Sequence, residues 1–563
     1  MTQTTFLARL RAHPLPGDSM AIVTQPQATG MRRLATVLLS AGVLSASLLS
    51  ATLLSGCAAV GPDFQRPGVP QLRGTADDRY GRKPLVGTVA APGPGGAAQT
   101  LVLGGVVDRE WWKALGSPAL NQLVADALAH NPTVEAMQAA LRQARENVTA
   151  QEGYSYPTLT ANYTGSRQKN PTGTIAPTLN SGDPLYNLHT AQFNVGFVPD
   201  VLGMNRRAVE SLAAQVETQK YQMDAAAITL SANVVSTVVM LATVTDQIQA
   251  TRDIIAANRK VLALLRQQLQ AGAVSGMEIA AQETAVAQAE QLLPPLEKQA
   301  EQTRDALAVL VGHLPSQETG ARFTLADLTL PATLPLTVPS RLIEQRPDVR
   351  AAEAQVHVAS AQVGVALANR LPQFLISGNV GGTATQIGQM FAAGNTFWAL
   401  AGSATQTLYD FGTLKARQRG AEAALDQSVA TYRSVALVAF QNVADALYAL
   451  DQDAKAYGAA VTAETAAKRS YDLTRQQLDL GFVNLPALLA AEQAYTQTRL
   501  ATVQAFGARL GDSAALFLAL GGGANGDAGP TAAGSALQGR LRQEDAHPQS
   551  RVGVLQAQGA FME

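Results

Sequence analysis

Cys57 is the one thiol in 563 residues, and it closes the run Leu54-Ser55-Gly56-Cys57. Ahead of it, Met31-Arg32-Arg33 supplies positive charge and Leu34 to Leu54 an apolar, small-residue stretch, the layout of a secretory signal ending in small residues. A thiol used there leaves none for a disulfide or a thiolate metal site. Two carboxylates, Glu278 and Asp479, stand beside glycine-bearing turns. Other chemistries are not spelled out. The six histidines, at 13, 130, 189, 313, 357 and 547, share no metal-ligand spacing, and no Ser/His/Asp arrangement stands out. Gly521-x-Gly523-x-x-Gly526 matches a dinucleotide fingerprint by letter, but it follows a helical stretch and opens into a Gly/Ala/Ser tail instead of joining strand to helix. The chain reads as a non-enzyme without cofactor or metal site.

The elements that position these groups come in two copies. Arg266-Gln267-Gln268-Leu269-x-x-Gly272-x-Val274 returns as Arg475-Gln476-Gln477-Leu478-x-x-Gly481-x-Val483, a displacement of 209 that also maps Gly203 to Gly412, Asn233 to Asn442, Glu283 to Glu492 and Gly312 to Gly521. Upstream the displacement is 215, mapping Pro132 to Pro347, Ala144 to Ala359 and Pro157 to Pro372. The first unit is therefore six residues longer between Pro157 and Gly203, most simply in the loop after Thr164, whose partner follows Val380. A period near 210 is far longer than the roughly 20 to 50 residues of solenoid repeats, so a whole structural unit is duplicated.

One unit can be read in detail. Ser117 to Tyr156 is helical, opened by Ser117-Pro118 and divided at Asn131-Pro132, and Pro157 stops it. Thr158 to Thr164 and Thr190 to Phe197 alternate apolar and polar residues, a period of two, around the loop Gly165 to Asn187. Gly203 to Gly272 is helical without proline and would reach about 100 Å. The turn 271–276 leads into a helix to Gly312, broken at Pro294-Pro295. The second unit repeats this: helix from Leu342 to Arg370, strands at Gln373 to Val380 and Phe397 to Leu408, helix from Gly412 to Leu480, a turn at Gly481 to Asn484, and helix to Leu520. Gly522 to Glu563 and Ala91 to Gly105 read as flexible or loosely packed. Ala225 to Thr245 carries no charge and is long enough to span a bilayer. Its mate Ser434 to Ala454 contains Asp445, Asp451 and Asp453, however, so both read as walls of a helical assembly.

Composition agrees with long helices packed through small residues: aromatics are only 5%, and 42 Lys+Arg balance 43 Asp+Glu, leaving no basic footprint for nucleic acid. The hairpins add a stronger constraint. One apolar and one polar strand face is the pattern of a transmembrane β-barrel. Four strands cannot close, and an open edge in lipid is forbidden because its N–H and C=O groups find no partner. The barrel must be shared: three chains give twelve strands and an open pore, two give eight and a nearly filled lumen. The polar strand residues favour three. The alternative is a soluble hairpin on a helical coiled coil.

Leu54-Ser55-Gly56-Cys57 resembles a bacterial lipobox, which implies cleavage before Cys57, lipid on its thiol and new amino group, and sorting to the outer membrane because Ala58 rather than Asp follows. The alternative is an ordinary signal peptide ending near a cysteine. A charged lead such as residues 1–30 is atypical of a signal, and the expected start is Met31 or Met20. Together with Val60-Gly61-Pro62-Asp63-Phe64, Arg66-Pro67, Trp111-Trp112, Asn131-Pro132, Arg346-Pro347-Asp348-Val349 and Asn484-Leu485-x-x-Leu488-Leu489, the duplication resembles the TolC-like outer-membrane efflux channel lipoproteins of the NodT type, over residues 54 to 521.

That resemblance implies a mainly α, internally duplicated fold. Long antiparallel helices form a periplasmic α-barrel, and four strands per chain join a homotrimeric 12-stranded barrel in the outer membrane. It divides the chain into a signal region 1–56, a lipid-anchored segment and linker 57–116, a first repeat 117–315 with its hairpin at 158–198, a linker 316–340, a second repeat 341–521 with its hairpin at 373–408, and a tail 522–563. The implied function is the passive exit duct of a tripartite pump for drugs or other small molecules. Its implied partners are a periplasmic adaptor and an inner-membrane transporter of the resistance-nodulation-division type. Gly272, Val274, Ser275, Gly481, Val483 and Asn484 become the periplasmic tip and adaptor contacts. Relatives place a carboxylate just after the second turn; here Ala487 and Ala490 occupy that stretch, which leaves Glu278 and Asp479 as candidate pore carboxylates. A duct for type I protein secretion, or less so a periplasmic adaptor lipoprotein, is the alternative.

Overall fold

The computed structural model describes residues 59–68, 80, 85–169, 185–317 and 322–523; the signal region, Cys57 and the tail beyond Gly523 lie outside them. In chain order the elements are β1 (Thr100–Leu103), a 3-10 turn at Trp111–Leu115, α1 (Pro118–His130), α2 (Pro132–Gly153), β2 (Thr158–Lys169), β3 (Leu185–Phe197), α3 (Met204–Gln270) and α4 (Gly276–Val311). A 3-10 turn at Leu325–Asp327 precedes β4 (Thr333–Leu336), α5 (Pro339–Gln345), α6 (Pro347–Ala368), β5 (Gln373–Ala384), β6 (Thr396–Thr405), α7 (Thr413–Asp479) and α8 (Leu485–Ala519).

The helix boundaries follow from local chemistry. Pro118 occupies the first turn of α1, where its missing N–H is no loss, and the Ser117 hydroxyl accepts the Leu120 N–H. Asn131 ends α1 and caps α2, its Oδ1 accepting the Thr133 N–H at 2.8 Å. The same side chain donates to Leu310 O at 2.8 Å and so ties α2 to the last turn of α4. The second unit repeats the tie with a longer group: Arg346, just before Pro347, donates to Ala519 O at 2.7 Å. The helical run expected from Leu342 is thereby split into α5 and α6, because proline excludes the α conformation from the residue before it.

α3 and α7 have 67 residues each, about 100 Å of helix. α4 and α8 return along them with 36 and 35. Pro294 and Pro295 do not break α4 as expected; the helix runs through them, its neighbouring turns held by packing against α3. The apolar part of α3 is long and uncharged enough to cross a membrane by composition. In the fold Val234, Val235, Val238, Leu241 and Ala242 are buried in the core instead, against α1, α6 and α8.

Two stretches read as loose are built into the structure. β1, inside 91–105, pairs in parallel with β4, inside the 316–340 linker. Arg509 of α8, almost fully buried, donates to Gly95 O and Ala97 O, and Tyr457 OH accepts the Gly95 N–H at 3.2 Å. Gly522 and Gly523 are buried as well. Such packing leaves no hydropathy signal, because small residues and backbone carbonyls carry it. Trp111, 2% exposed, stacks on Phe517 at 5.4 Å, which fixes the 3-10 turn to the end of α8.

The four longer strands form one antiparallel sheet in the order β2-β3-β5-β6. They extend past the expected bounds: β2 continues to Lys169 and β3 begins at Leu185, while β6 ends at Thr405 rather than Leu408. Fifteen residues separate Lys169 from Leu185 against eleven between Ala384 and Thr396, and β3 has 13 residues against 10 in β6. The length difference between the units thus sits at the outer end of the first hairpin, shared between loop and strand.

Candidate functional site

The sheet sorts its side chains by chemistry through register. Leu159 lies opposite Val195, Val195 opposite Gly378, and Gly378 opposite Leu400. One face therefore carries Leu159, Ala161 and Tyr163, then Ala191, Phe193, Val195 and Phe197, then Phe374, Ile376 and Val380, then Trp398 and Leu400. The other carries Thr158, Thr160, Asn162 and Thr164, then Thr190, Gln192 and Asn194, then Ser377 and Asn379, then Ser403 and Thr405, with Leu375 and Phe397 apolar exceptions. On the polar face Thr190 and Thr383 share a hydroxyl hydrogen bond at 3.0 Å. Leu159 (68% exposed), Trp398 (78%) and Leu400 (74%) have nothing among the described residues to cover them. An apolar surface of that width belongs against lipid or another protein. β2 and β6, the edges of the sheet, have no partner beyond β3 and β5 among the described residues.

The strands hand over to the long helices through aromatic and capping groups. Tyr154 and Tyr156 precede β2; Tyr409 and Phe411, 4.7 Å apart, follow β6, and all four are exposed, as at a membrane–water boundary. The Asp200 carboxylate accepts the N–H groups of Asn205 and Arg206, and Asp410 those of Gly412 and Leu414, which starts α3 and α7 at the same level.

Cys57 lies outside the described residues, but the segment that follows it has a firm seat. The Val60 N–H donates to Leu202 O at 3.2 Å. The buried Arg207 donates to the carbonyls of Ala59, Val60 and Gly61 and pairs with Asp63 and Glu210, both at 2.7 Å. Phe64 stacks on His357 at 4.2 Å, and His357 Nε2 meets Glu210 Oε1 at 3.0 Å. Residue 59 is thus held at the strand-proximal end of α3. Gly61, at φ 101°, lies so close to Gly364 that an added Cβ would come within 2.5 Å of its Cα. Sequence reasoning missed Arg207; only its place four residues beyond Gly203 hints at a role.

The two tips at the other end of the helices share one backbone geometry. At the first, the Ala273 N–H reaches Gln268 O and the Gly272 N–H reaches Leu269 O, both at 2.9 Å. At the second, Phe482 and Gly481 donate to Gln477 O and Leu478 O at 2.8 and 2.9 Å. This double bond needs a left-handed residue, supplied by Gly272 (φ 73°) and Gly481 (φ 77°). Ser275 and Asn484 then cap α4 and α8: the Glu278 carboxylate accepts the Ser275 N–H at 2.6 Å, and Asn484 Oδ1 accepts the Ala487 N–H at 3.3 Å. Glu278 is thereby engaged as a helix cap, while Asp479 is the last residue of α7. Val274 and Val483 are half-buried, and Val274 joins a small cluster with Leu265, Tyr471, Leu485 and Leu488 that holds the tips together.

Inside that cluster the charges differ from those of the first unit. Arg266 pairs with Glu283 at 2.8 Å, both exposed. Their repeat mates Arg475 and Glu492 form no pair within 4 Å, and Glu492 is 7% exposed. Burial pushes its carboxyl up to about 7, against the opposing pull of Arg475. Farther along α8, burial and a hydrogen bond from the protonated Asp512 carboxyl to Asp453 raise Asp512 to about 6.

Comparison with known proteins agrees with this architecture. The family model described as "Outer membrane efflux protein" matches residues 123–313 and 338–522, the two units in turn. The pyoverdine export outer membrane protein OpmQ of Pseudomonas aeruginosa is 28% identical over 418 residues, 74% of this chain and 87% of that protein. Outer membrane protein OprJ of the same organism is 26% identical over 83% of this chain and 93% of its own length. Among solved structures, the open-state MtrE outer membrane channel of Neisseria gonorrhoeae superposes with a TM-score of 0.69 at 24% identity, covering 83% of this chain and 99% of that one. The Campylobacter jejuni CmeC channel gives 0.72 at 18% identity over 85% and 98%. The fold is TolC-like, and the chain is an outer-membrane efflux channel with a periplasmic extension. It belongs to the outer membrane efflux protein family.

Proposed function

We propose that three copies of this chain close a twelve-stranded barrel in the outer membrane and form the passive exit duct of a tripartite pump. In this reading a periplasmic adaptor docks at the tips around Gly272–Ser275 and Gly481–Asn484, and an inner-membrane transporter of the resistance-nodulation-division type drives the cargo. The observation that carries it is the sheet: one registered apolar face and two unpaired edges, which lipid forbids in a single chain. Three sheets joined β6 to β2 pair every edge and leave a pore lined by threonine, asparagine and serine. A lipid on Cys57, two residues before Ala59 in sequence, anchors the chain in this reading, and Ala59 is itself seated by Arg207. Among the relatives, OpmQ is a pyoverdine export protein and TtgI belongs to a toluene efflux pump; the cargo proposed here is likewise a small molecule.

A disulfide between a cysteine placed in β2 and one placed in β6 tests the assembly. With Cys57 kept, Leu159→Cys with Ala404→Cys should yield covalent trimers on oxidation; monomers alone would sink the trimer. Deleting the gene should raise intracellular accumulation of exported small molecules, and a secretion defect without an efflux defect would favour the protein-secretion duct instead.

A further inference from the structure

The second tip contains a carboxyl group in a place where the first tip has an ion pair, and the geometry shows what decides between the two. Glu283 and Glu492 are repeat mates, as are Arg266 and Arg475. In the first unit the residues flanking the pair are Leu262 and Val286, and the pair lies on an open flank of α4. In the second unit the mates of those two residues are Tyr471 and Tyr495, stacked with ring centroids 5.9 Å apart. α8 packs against both α7 and α3, so the face carrying Leu485, Leu488 and Glu492 is enclosed. The Arg475 charge acts on both the Tyr471 hydroxyl and the Glu492 carboxyl.

Among the described residues, the cation that acts on Glu492 is Arg475. From α7 it meets Tyr471 and Arg475, with Lys468 and Asp472 beyond, already paired to each other at 2.7 Å. From α8 it meets Tyr495, and Arg499 is taken by Asp253 of α3 at 2.9 Å. α3 contributes Val261 and Leu265 to the cluster, and the first tip Val274 and Ile279, all apolar. A charged carboxylate at this point must either draw in Arg475 or open the enclosed face to water.

We propose that Glu492 is a proton-dependent latch of the second tip: neutral, it lets α7 and α8 close through the tyrosine stack; charged, it recruits Arg475 and loosens that contact. The latch rests on the reading of the tips as the periplasmic mouth of the duct. Burial, which raises the Glu492 carboxyl to about 7, puts the change inside the periplasmic pH range. Raised pH favours the loosened tip and acid the closed one. The first tip, with its carboxylate already paired, does not respond.

The test is conductance of the purified full-length protein in planar bilayers in potassium chloride, from pH 5.5 to 8.5. Wild type should gain open time severalfold with a midpoint near 7, and Glu492→Gln should hold the acid behaviour throughout, while Glu283→Gln keeps the wild-type profile. Should Glu492→Gln not assemble, Arg475→Met is the second arm, and loss of its positive charge should move the midpoint upward. A flat wild-type profile, or one that Glu492→Gln or Arg475→Met leaves in place, overturns the latch alone. A protein that inserts and passes no current at any pH overturns the channel reading and the latch with it.

Discussion

The two helical hairpins, α3 with α4 and α7 with α8, share length, turn geometry and caps, yet they bury different chemistry. The first encloses Asn258 and Gln282, whose Nε2 donates to Asn258 Oδ1 at 2.8 Å; the second has Ala467 and Ala491 at the same places. The first has Ile248 and Ala300 where the second has Tyr457 and Arg509. Each difference has a local cause. Tyr457 and Arg509 receive the 85–99 segment, which crosses only the second hairpin, and Glu492 is enclosed because α8 has helices on two sides. A duplicated backbone thus tolerates divergence wherever one copy meets a neighbour that the other lacks.

That comparison can be broken most forcefully at Arg509. Its guanidinium serves Gly95 O, Ala97 O, Thr88 Oγ1 and Gln99 Oε1 and lies 5.8 Å from the Tyr457 ring centroid. Arg509→Ala makes the position like Ala300 and strands those acceptors, so a loss of about 3 to 5 kcal/mol is expected. Thermal unfolding and proteolysis within residues 85–105 would report it; Ala300→Gly, at the mate, should leave that segment protected.

The next effect depends on pH. Glu492 in the folded chain holds its proton up to about 7, whereas its ordinary value is 4.5. Between those values the folded state binds a proton that the unfolded state has released, so stability is full below 4.5 and falls as pH rises toward and through 7. The span is worth at most about 3 kcal/mol. Glu492→Gln should flatten the dependence of the melting temperature on pH between 5 and 8. Glu283→Gln, in an exposed pair, should change it by less than about 1 kcal/mol, and an equal effect of both variants would erase the distinction between the hairpins.

A smaller effect sharpens the polar pair of the first hairpin. Gln282→Ala or Asn258→Ala alone leaves a buried partner unsatisfied and should destabilise by about 1 to 3 kcal/mol, while the double variant, which reproduces Ala491 and Ala467, should recover most of that loss. Additive losses in denaturation would show that the two groups act separately. Last, Gly272→Ala and Gly481→Ala should each cost about 1 to 2 kcal/mol for the left-handed backbone. Neither glycine has another atom within 4 Å of an added Cβ, so the two values should agree; a marked inequality would mean that one tip is packed against more than itself.

Much of this architecture was legible from residue order because its signals are local. Proline and capping residues placed the starts of α1 and α2, glycines placed the turns, and alternation placed the strands. The duplication made each unit a check on the other. Four boundaries misled: Pro294-Pro295 inside α4, the strand ends beyond Thr164 and Val380, the break at Arg346 between α5 and α6, and the small-residue stretch 91–105. Except at Arg346, where Pro347 acts locally, contacts with a distant part of the chain outweigh local preference. Arg207 and Arg509 were invisible as sites, although Arg509 carries one usable mark, a charged residue at a position whose mate is alanine.

Sequence alone determined the duplicated unit, the strand faces and the turn glycines, because periodicity and backbone restriction act within a few residues. Only the tertiary structure decided which of two identical Arg and Glu pairs is an ion pair. That choice depends on how many helices enclose the carboxylate, and desolvation is a property of the surroundings rather than of the residue.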